Sequence, residues 1–353
     1  MCPPDTIHPP HAAPAPDAAA PPILAEVTRG TMVESRHRGA AAVVDPTGHV
    51  VRAWGDIEAL IYPRSSIKPL QALPLVESGA ADAFALGDAE LALACASHQG
   101  EPRHAATVAA WLAKLGLGVD DLACGPQVPS GPAAAEALFR AGEQPSRLHN
   151  NCSGKHTGFL TTAKHLGEAT AGYIGAAHPV QQRLAALLGD LGGENISGSE
   201  RGIDGCGIPV LGMSITALAR AMARMAAPET LDEASGKAAR RIFAAMTTHP
   251  EMVRGDGGFD TRFMTAGRGR FATKTGAEGV HIAIVPELKL GVALKVEDGA
   301  GRASDVAVAA LLDHLGVIDD RTRAEIAPIA EPVIVNAAGR AAGVVRMAPG
   351  WNE

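Results

Sequence analysis

The residues best suited to chemistry are a serine and a lysine three positions apart in the stretch YPRSSIKPLQALPLVESGA, residues 62–80. Positions three apart lie on one face of a helix, so Ser65 and Lys68 can touch. A lysine that has lost its proton can activate a serine hydroxyl as a nucleophile. The plain alternative is a capped helix start with one solvated lysine, because Pro63 and the paired serines are also typical helix-start residues.

A second lysine, far along the chain, favours the chemical interpretation. Lys274, Thr275 and Gly276 reproduce the Lys-Thr-Gly signature that accompanies Ser-x-x-Lys in serine β-lactamases and penicillin-binding proteins. A free lysine has a pKa near ~10.4, so a base working near pH 7 needs that pKa lowered by ~3 units, or about 4 kcal/mol. Burial and a neighbouring cation both disfavour the ammonium form, and Lys274 opposite Lys68 would supply that cation.

A third serine lies in the stretch CASHQGEPRH. Ser97 follows an apolar helix and precedes Gly100, so a loop at the helix end could point its hydroxyl into a cleft. From its position alone, Ser97 is better explained as a helix cap, because serines at helix ends usually have that role.

Two cysteine-containing segments offer metal ligands. The segment HNNCSGKHTGF, residues 149–159, contains Cys152, and the segment RGIDGCGIP contains Asp204 and Cys206. Two thiolates with a nearby histidine, carboxylate or amine could complete a tetrahedral zinc shell. The alternative is that both cysteines are small buried hydrophobic residues, and the spacing favours this alternative because the chain has no CxxC pair.

The elements that would position these side chains are hairpins near both ends of the chain and helices between them. Residues 40–54 and 278–299 each predict a hairpin, because apolar strands flank Pro- or Gly-containing turns. Apolar residues at helical spacing predict helices at 65–78, 88–96, 102–116, 132–142, 154–167, 178–191, 209–226, 230–248 and 301–316, and one late strand is predicted near 332–336. This order predicts an α+β fold in which the terminal strands share one antiparallel sheet and the helices form a second lobe.

Composition excludes several classes of function. The net charge is −7 and no basic run exists, which argues against a nucleic-acid surface. No stretch approaches ~18 apolar residues, so we expect no transmembrane helix. Residues 1–22 are rich in proline and alanine and lack the pattern of a secretory signal, so we expect a disordered tail followed by a catalytic region over 23–350. Five cysteines without an export signal indicate reduced thiols in a cytoplasmic protein.

Five blocks of sequence, in this order, carry a family resemblance: YPRSSIKPLQALPL, ASHQGE, HNNCSGKHTGFL, GIDGCGIP and KTGAEGV. Together they resemble the L-asparaginase II family of the thermolabile, rhizobial type, from about residue 24 to residue 350. The resemblance implies hydrolysis of the side-chain amide of L-asparagine, a fold like that of serine β-lactamases and serine-type glutaminases, and a homodimer. The proline- and alanine-rich tail departs from the family pattern.

The resemblance also implies roles for particular residues. The catalytic group would be two serine–lysine pairs, Ser65 with Lys68 and Ser97 with Lys274. The metal ligands, for zinc, would be Cys152, Lys155 and Cys206. The residues around the substrate would be Arg64, His156 and Asp204. Other interpretations stay open: a glutaminase or β-lactam hydrolase on the same fold, or a catalytically silent amino-acid-binding protein.

Overall fold

The computed structural model of the protein describes residues 20–350, in which groups of strands are separated by groups of helices. Residues 1–19 of the predicted disordered tail lie outside the described residues. The strands are β1 (Ile23–Arg29), β2 (Met32–Val44), β3 (Val50–Trp54), β4 (Leu60–Ile61), β5 (Arg201–Ile203), β6 (Pro209–Leu211), β7 (Met213–Ser214), β8 (Ala272–Thr275), β9 (Val280–Val285), β10 (Leu290–Val296), β11 (Val333–Val335) and β12 (Ala341–Met347). The helices are α1 (Lys68–Glu77), α2 (Ala80–Ala83), α3 (Asp88–Ala94), α4 (Pro102–Lys114), α5 (Pro132–Arg140), α6 (Ser153–His165), α7 (Pro179–Gly192), α8 (Ile215–Ala226), α9 (Glu233–Thr248), α10 (Pro250–Arg254), α11 (Phe259–Gly267), α12 (Gly301–His314) and α13 (Asp320–Ala330).

The main sheet joins strands from both ends of the chain. Its order is β11-β12-β1-β2-β10-β9-β8, with β3 also paired to β2, and its pairings are antiparallel. The strand β2 has 13 residues, so its first half pairs with β1 and its second half pairs with β10 and β3. The prediction of an α+β fold with one antiparallel sheet built from both chain ends is confirmed.

The first hairpin turns where its sequence predicts. The Asp45 carboxylate accepts hydrogen bonds from the backbone N–H groups of Thr47 at 2.8 Å and His49 at 3.0 Å. Gly48 adopts a φ of +96°, which glycine reaches without steric cost. An aspartate that binds the backbone two residues on, followed by a glycine in this conformation, is a common way to reverse the chain. The return strand β3 then pairs with β2, with Trp54 opposite Ala41.

Helices cover both faces of the sheet and bury two hydrophobic cores. On one face α8 crosses β10 at Gly291, where a Cβ atom would lie 2.0 Å from the Ala219 carbonyl oxygen. This larger core continues into the helical lobe that contains α1, α3, α4, α6 and α9. The smaller core packs α11, α12 and α13 against the opposite face. Among residues 20–350, no helix is both long and apolar enough to cross a membrane.

The helix predicted over 209–226 begins later than expected. Residues 209–211 and 213–214 form β6 and β7, which pair with β5 and β4. The helix α8 starts at Ile215, where the Ser214 hydroxyl accepts a hydrogen bond from the Ala217 N–H group as an N-cap. A short apolar run is compatible with either structure, so distant strand partners decided between them. The elements α2, α10, α11, α13, β4, β5 and β12 were not predicted.

Candidate active site

Ser65 lies in a tight 3-10 turn, Arg64–Ile67, that leads into α1. Arg64 has a φ of +53°, a backbone conformation that residues with a Cβ atom seldom adopt and that is often found at functional sites. The Ser66 hydroxyl donates to the Pro63 carbonyl oxygen at 2.6 Å and closes the turn. Within residues 20–350, the half-buried Ser65 hydroxyl makes no hydrogen bond. The neighbouring serines therefore differ: Ser66 holds the backbone and Ser65 is available to a ligand.

Lys68, the first residue of α1, is fully buried beneath this turn. Its ammonium group donates to Ser97 Oγ at 3.0 Å, to the Ala96 carbonyl oxygen, and to the Asn151 carbonyl oxygen at 3.5 Å. Burial lowers the pKa of Lys68, because the charged form loses its hydration. The lysine is thus placed to exchange a proton with a serine hydroxyl.

Ser97 is held in place by its backbone. Its N–H group donates to the Val253 carbonyl oxygen at 2.9 Å, and its own carbonyl oxygen accepts from the Arg254 guanidinium at 3.1 Å. Its hydroxyl is the partner of Lys68, at 3.0 Å. The resemblance implies that Ser97 pairs with Lys274, whereas the hydrogen bond found in the structure joins it to Lys68. Within residues 20–350 no hydrogen bond joins Lys274 to Ser97 or to the other candidate serine.

Lys274 projects from β8 into the same interior region. It is fully buried, and its ammonium group donates to the Thr275 carbonyl oxygen at 2.5 Å. Burial lowers the pKa of Lys274 to about 7; the charge of Asp260 opposes this shift and the charge of Lys68 adds to it. The sequence predicts that the two lysines face each other, and the electrostatic effect of Lys68 on Lys274 agrees with that arrangement.

The glycine of the Lys-Thr-Gly segment lets β8 approach the serine turn. A Cβ atom at Gly276 would lie 2.8 Å from the Pro63 carbonyl oxygen and 3.2 Å from the Ser66 nitrogen. Real Cβ atoms essentially never lie as close as 2.8 Å to another heavy atom, so any larger residue would push β8 and the turn apart. The segment therefore supplies both a buried lysine and the close approach of β8 to the turn that contains Ser65.

A buried carboxylate that the sequence did not identify fixes β8 from behind. Asp260 in α11 accepts hydrogen bonds from the Thr273 hydroxyl, the Thr275 N–H group and His281 Nε2, each at 3.0 Å. Burial alone would raise the pKa of Asp260, but the hydrogen bond and charge of His281 outweigh it and lower the pKa. His281 is fully buried and also approaches Asp305 at 3.4 Å. No motif in the sequence connects these residues, because their spacing follows only from the tertiary fold.

The Arg64 side chain links the serine turn to the loop after β5. Its Nε atom donates to Asp204 Oδ1 at 2.6 Å, and Asp204 Oδ2 lies 3.4 Å from the Cys206 sulfur. Burial alone would raise the pKa of Asp204, but the positive charges of Lys155 and Arg64 outweigh it and lower the pKa. Asp204 is therefore an anion that touches both the serine turn and the cysteine segment.

His156 presents a ring nitrogen that has no hydrogen-bond partner among residues 20–350. Its Nδ1 atom lies 2.7 Å from the Tyr173 hydroxyl, which accepts a hydrogen bond from the Ala123 N–H group at 2.9 Å. Burial lowers the pKa of His156, so the ring is neutral. The hydroxyl is free to donate to Nδ1, which places the ring proton on Nε2. Within the described residues Nε2 is buried without a hydrogen bond, so it can donate one to a ligand.

Cys152, Lys155 and Cys206 lie together at the start of α6. The Lys155 amine is 3.0 Å from the Cys206 sulfur, and one ligand atom from each of Cys152, Asp204 and Cys206 lies within 4.8 Å of the others. Two sulfurs, an amine and a carboxylate oxygen are together enough for a tetrahedral zinc shell. The residues therefore fit the metal that the resemblance implies.

The local sequence explains why these ligands converge. Cys152 is the residue before α6, and Lys155 is in its first turn. A Cβ atom at Gly154 would lie 2.2 Å from the Leu93 carbonyl oxygen, so α6 packs against α3 only with glycine there. Burial alone would lower the pKa of Lys155, but the sulfurs of Cys152 and Cys206 outweigh it and raise the pKa. A metal ion bound there would have to displace that proton.

Comparison with known proteins identifies the family. The family model described as L-asparaginase II matches residues 25–347, nearly the whole chain. No curated protein matches the chain. Among solved structures, Mglu is 13% identical with a TM-score of 0.43, and the alignment covers 79% of this chain and 67% of Mglu. The glutamate form of Mglu is also 13% identical with a TM-score of 0.41, and the alignment covers 79% of this chain and 61% of that one.

A β-lactamase from Mycobacterium bovis, Mb2281c, is 14% identical with a TM-score of 0.33, and the alignment covers 78% of this chain and 94% of that one. A putative β-lactamase from Bacteroides dorei is 12% identical with a TM-score of 0.41, and the alignment covers 78% of this chain and 93% of that one. The family match extends over both segments that carry the candidate lysines and over all the candidate site residues. It supports an amidohydrolase, and the chain belongs to the L-asparaginase II family.

Proposed function

We propose that the protein is an L-asparaginase, which hydrolyses the side-chain amide of L-asparagine to aspartate and ammonia. The observation that supports this most directly is the pair of fully buried lysines, Lys68 and Lys274, whose pKa values are both lowered. A buried amine of this kind can accept a proton near pH 7. Lys68 already contacts a hydroxyl group, that of Ser97. The family membership is the reason for choosing asparagine as the substrate.

The proposed nucleophile is the Ser65 hydroxyl, which has no competing hydrogen bond within residues 20–350. Ser65 Oγ attacks the side-chain amide carbon, and its proton passes through the lysine and Ser97 network. The C–N bond then breaks, the nitrogen takes a proton from that network and leaves as ammonia, and an aspartyl ester of Ser65 remains. Water attacks the ester, aspartate is released, and the proton returns to Ser65.

Backbone N–H groups would stabilise the negative charge that develops on the carbonyl oxygen. The N–H groups of Ser65 and Ala277 make no backbone hydrogen bond within the described part of the chain. The close approach at Gly276 brings the Ala277 segment beside the serine turn. Each such donor contributes ~3 kcal/mol in known acyl-transfer sites, so this pair would be a major part of catalysis.

The charged groups beside Ser65 suit a free amino acid. The Asp204 carboxylate would bind the substrate α-ammonium group, and Arg64 and His156 Nε2 would surround its polar atoms. A buried polar group left without its partner costs more free energy than a missing methylene group. This arrangement would therefore discriminate against amides that lack a free ammonium group.

The cysteine cluster is proposed as a zinc site, with Cys152, Lys155 and Cys206 as ligands. Bound zinc would supply a fixed positive charge that joins the start of α6 to the loop after β5. Because Asp204 contacts both this cluster and Arg64, the ligands would also position the substrate-binding carboxylate. Metal content of the wild type and of Cys152→Ser, measured by mass spectrometry of the purified proteins, tests the site: we expect about one zinc per chain and its loss in the variant.

Substrate and nucleophile are tested by measuring ammonia release from asparagine and glutamine and colour release from a chromogenic lactam. We expect asparagine to be preferred, and loss of activity by roughly a thousandfold or more in Ser65→Ala. Preference for glutamine or the lactam would assign another amidase on this fold. Wild-type ammonia release in Ser65→Ala would remove this serine as the nucleophile. Zinc binding without hydrolysis of any of the three substrates would favour a catalytically silent amino-acid-binding protein.

We also propose that the protein is a cytoplasmic homodimer. Both properties rest on the family resemblance, and the cytoplasmic location rests also on the cysteines, since those within residues 20–350 are free thiols rather than disulfides. Light scattering coupled to size-exclusion chromatography would give the mass of the assembly. A monomer at micromolar concentration would contradict the proposed dimer.

A further inference from the structure

A cavity of about 220 Å³ lies beside the start of α8, and its lining includes neither the cysteine cluster nor the two buried lysines. Three separate chain segments form it: the β2–β3 turn, the loop after α7, and the first turns of α8. Its lining residues are Gly48, Glu58, Gly192, Gly193, Glu194, Ser214, Thr216, Ala217 and Arg220. None of these residues belongs to the proposed catalytic or metal groups.

Arg220 is the only cation in this lining, and it has no partner in the described chain. Its Nε atom is buried without a hydrogen bond, and within residues 20–350 its guanidinium forms neither a hydrogen bond nor an ion pair. A donor that is buried without a partner costs free energy, and in Arg220 this applies to Nε; the side chain as a whole is half-buried, and its terminal nitrogens are not buried without a partner. The terminal nitrogens of Arg220 are therefore available to an anionic group of a ligand in the cavity.

Two glycines make the space in which the guanidinium lies. A Cβ atom at Gly193 would lie 1.6 Å from the Arg220 Nη1 atom, and one at Gly48 would lie 3.3 Å from Nε. Both glycines have a positive φ, +66° and +96°, so each also shapes the turn that carries it. The guanidinium is therefore enclosed by backbone on two sides and faces the cavity with its remaining donors.

Two carboxylates in the lining are also without a cation. Glu194 Oε2 accepts hydrogen bonds from the Ser214 N–H group at 3.0 Å and from its hydroxyl at 3.2 Å. Glu58 Oε1 accepts from the Thr216 hydroxyl at 2.5 Å. Within the part of the chain that the structure describes, neither carboxylate forms an ion pair, so Arg220 lies beyond ion-pair distance from both. The lining of the cavity thus contains one guanidinium and two carboxylates that form no ion pair with one another.

We propose that this cavity binds a free α-amino acid with a small, uncharged side chain. The ligand carboxylate would accept paired hydrogen bonds from Arg220, and its ammonium group would face Glu194 and Glu58. A ligand with only a carboxylate group would be repelled by the two glutamates. A ligand with only an ammonium group would be repelled by the arginine. Only a zwitterion satisfies both ends, and the volume suits a small amino acid.

The cavity is connected to the serine turn through one short strand pair. Leu60 in β4 pairs with Ser214 in β7, and β4 ends four residues before Ser65. Glu58 precedes the same strand. The cavity and the proposed catalytic centre therefore share a structural support without sharing a residue, so their ligands can be tested separately.

The test is equilibrium dialysis of the full-length protein with radiolabelled L-alanine, which has no side-chain amide to hydrolyse. We expect binding that weakens by about tenfold or more in Arg220→Gln and in Glu194→Gln, as loss of a charge-assisted hydrogen bond predicts. Propionate and ethylamine should each compete at least about tenfold more weakly than unlabelled L-alanine, since each lacks one of the two charges. Arg220→Lys keeps the charge without the paired donors and should bind with intermediate affinity.

Asp204→Asn separates this site from the proposed substrate site. It removes the carboxylate proposed to hold the substrate ammonium group and should leave L-alanine binding at the cavity within about twofold of wild type. If the variants of Arg220 and Glu194 melt like wild type and bind L-alanine with wild-type affinity, the assignment is overturned. The same holds if folded wild-type protein binds no L-alanine, whatever the outcome for asparagine hydrolysis.

Discussion

Replacing Asp260 with asparagine tests whether a buried carboxylate sets the pH at which Lys274 can act. Asparagine keeps the shape of the side chain and removes its negative charge. Burial lowers the pKa of Lys274 to about 7, and the Asp260 charge is the main influence that opposes this effect. In the variant, burial and the charge of Lys68 act without that opposition, so the pKa of Lys274 falls further.

The size of the effect on activity follows from the charge that is lost. A nearby opposite charge commonly shifts a pKa by about 1–3 units. If the neutral form of Lys274 is needed, kcat/KM of the wild type rises with pH around pH 7, because the acidic limb reports the free enzyme. In Asp260→Asn we expect the midpoint of this rise in kcat/KM to lie about one pH unit lower than in the wild type. The variant would then keep a larger share of its maximal activity at acidic pH.

The same substitution should cost stability, because Asp260 accepts three buried hydrogen bonds, one of them from His281. Removing one partner of a buried ion pair typically costs about 3–5 kcal/mol. The folded-state pKa of Asp260 is lowered, so its contribution is fully present above its unfolded pKa of ~3.9 and is lost as the pH falls through the folded value. The difference in unfolding free energy should therefore be complete at pH 7 and shrink below about pH 4.

The measurements are ammonia release across about pH 5 to 9 and urea denaturation at several pH values. Asp305→Asn is the matched control: it removes the carboxylate on the other side of His281, at 3.4 Å, and its charge is not among the largest influences on the pKa of Lys274. The control should leave the acidic limb unchanged. A folded Asp260→Asn variant whose limb stays at the wild-type pH, or moves to higher pH, would refute the reasoning.

Two further substitutions test the geometry of the site. Gly276→Ala would place a Cβ atom 2.8 Å from the Pro63 carbonyl oxygen, so we expect kcat/KM to fall by about tenfold to a hundredfold; Gly125→Ala, where a Cβ atom meets nothing within 4 Å, should be neutral in the same assay. Tyr173→Phe removes the hydroxyl that lies 2.7 Å from His156 Nδ1, so we expect urea denaturation to show a loss of about 1–3 kcal/mol and steady-state kinetics to show a raised KM with kcat little changed. An unchanged KM in the folded variant would argue against contact between His156 and the substrate.

The local sequence predicts an element correctly where its pattern of apolar residues and its turn residues favour the same structure. The hairpin over 40–54 formed as predicted, because its apolar strands flank a turn that Asp45 and Gly48 stabilise locally. The start of the helix predicted over 209–226 was wrong, because a short apolar run there pairs with two distant strands. Local pattern cannot contain that information, since the partners lie elsewhere in the chain.

In the candidate site, too, the sequence predicts the parts that carry a motif and does not predict the contacts that depend on tertiary packing. The Lys-Thr-Gly segment and the serine turn carry a motif, so the sequence predicts that β8 approaches this turn, as the contact at Gly276 shows. The contact between Lys68 and Ser97 has no pattern of its own, because α3 and α1 are brought together by packing. Asp260 could not be predicted either, since it contacts β8 from a glycine-rich segment without any recognisable motif.

The sheet built from both ends of the chain has a consequence for synthesis. Ala25 in β1 pairs with Met347 in β12, and Gly39 in β2 pairs with Val296 in β10, so these strands wait for partners made much later. Contacts between residues far apart in sequence form slowly, because a long loop must close first. A nascent chain that ends before β8 would contain Ser65 and lack Lys274. The proposed catalytic group would thus stay incomplete until β8 has been synthesised and has joined the sheet.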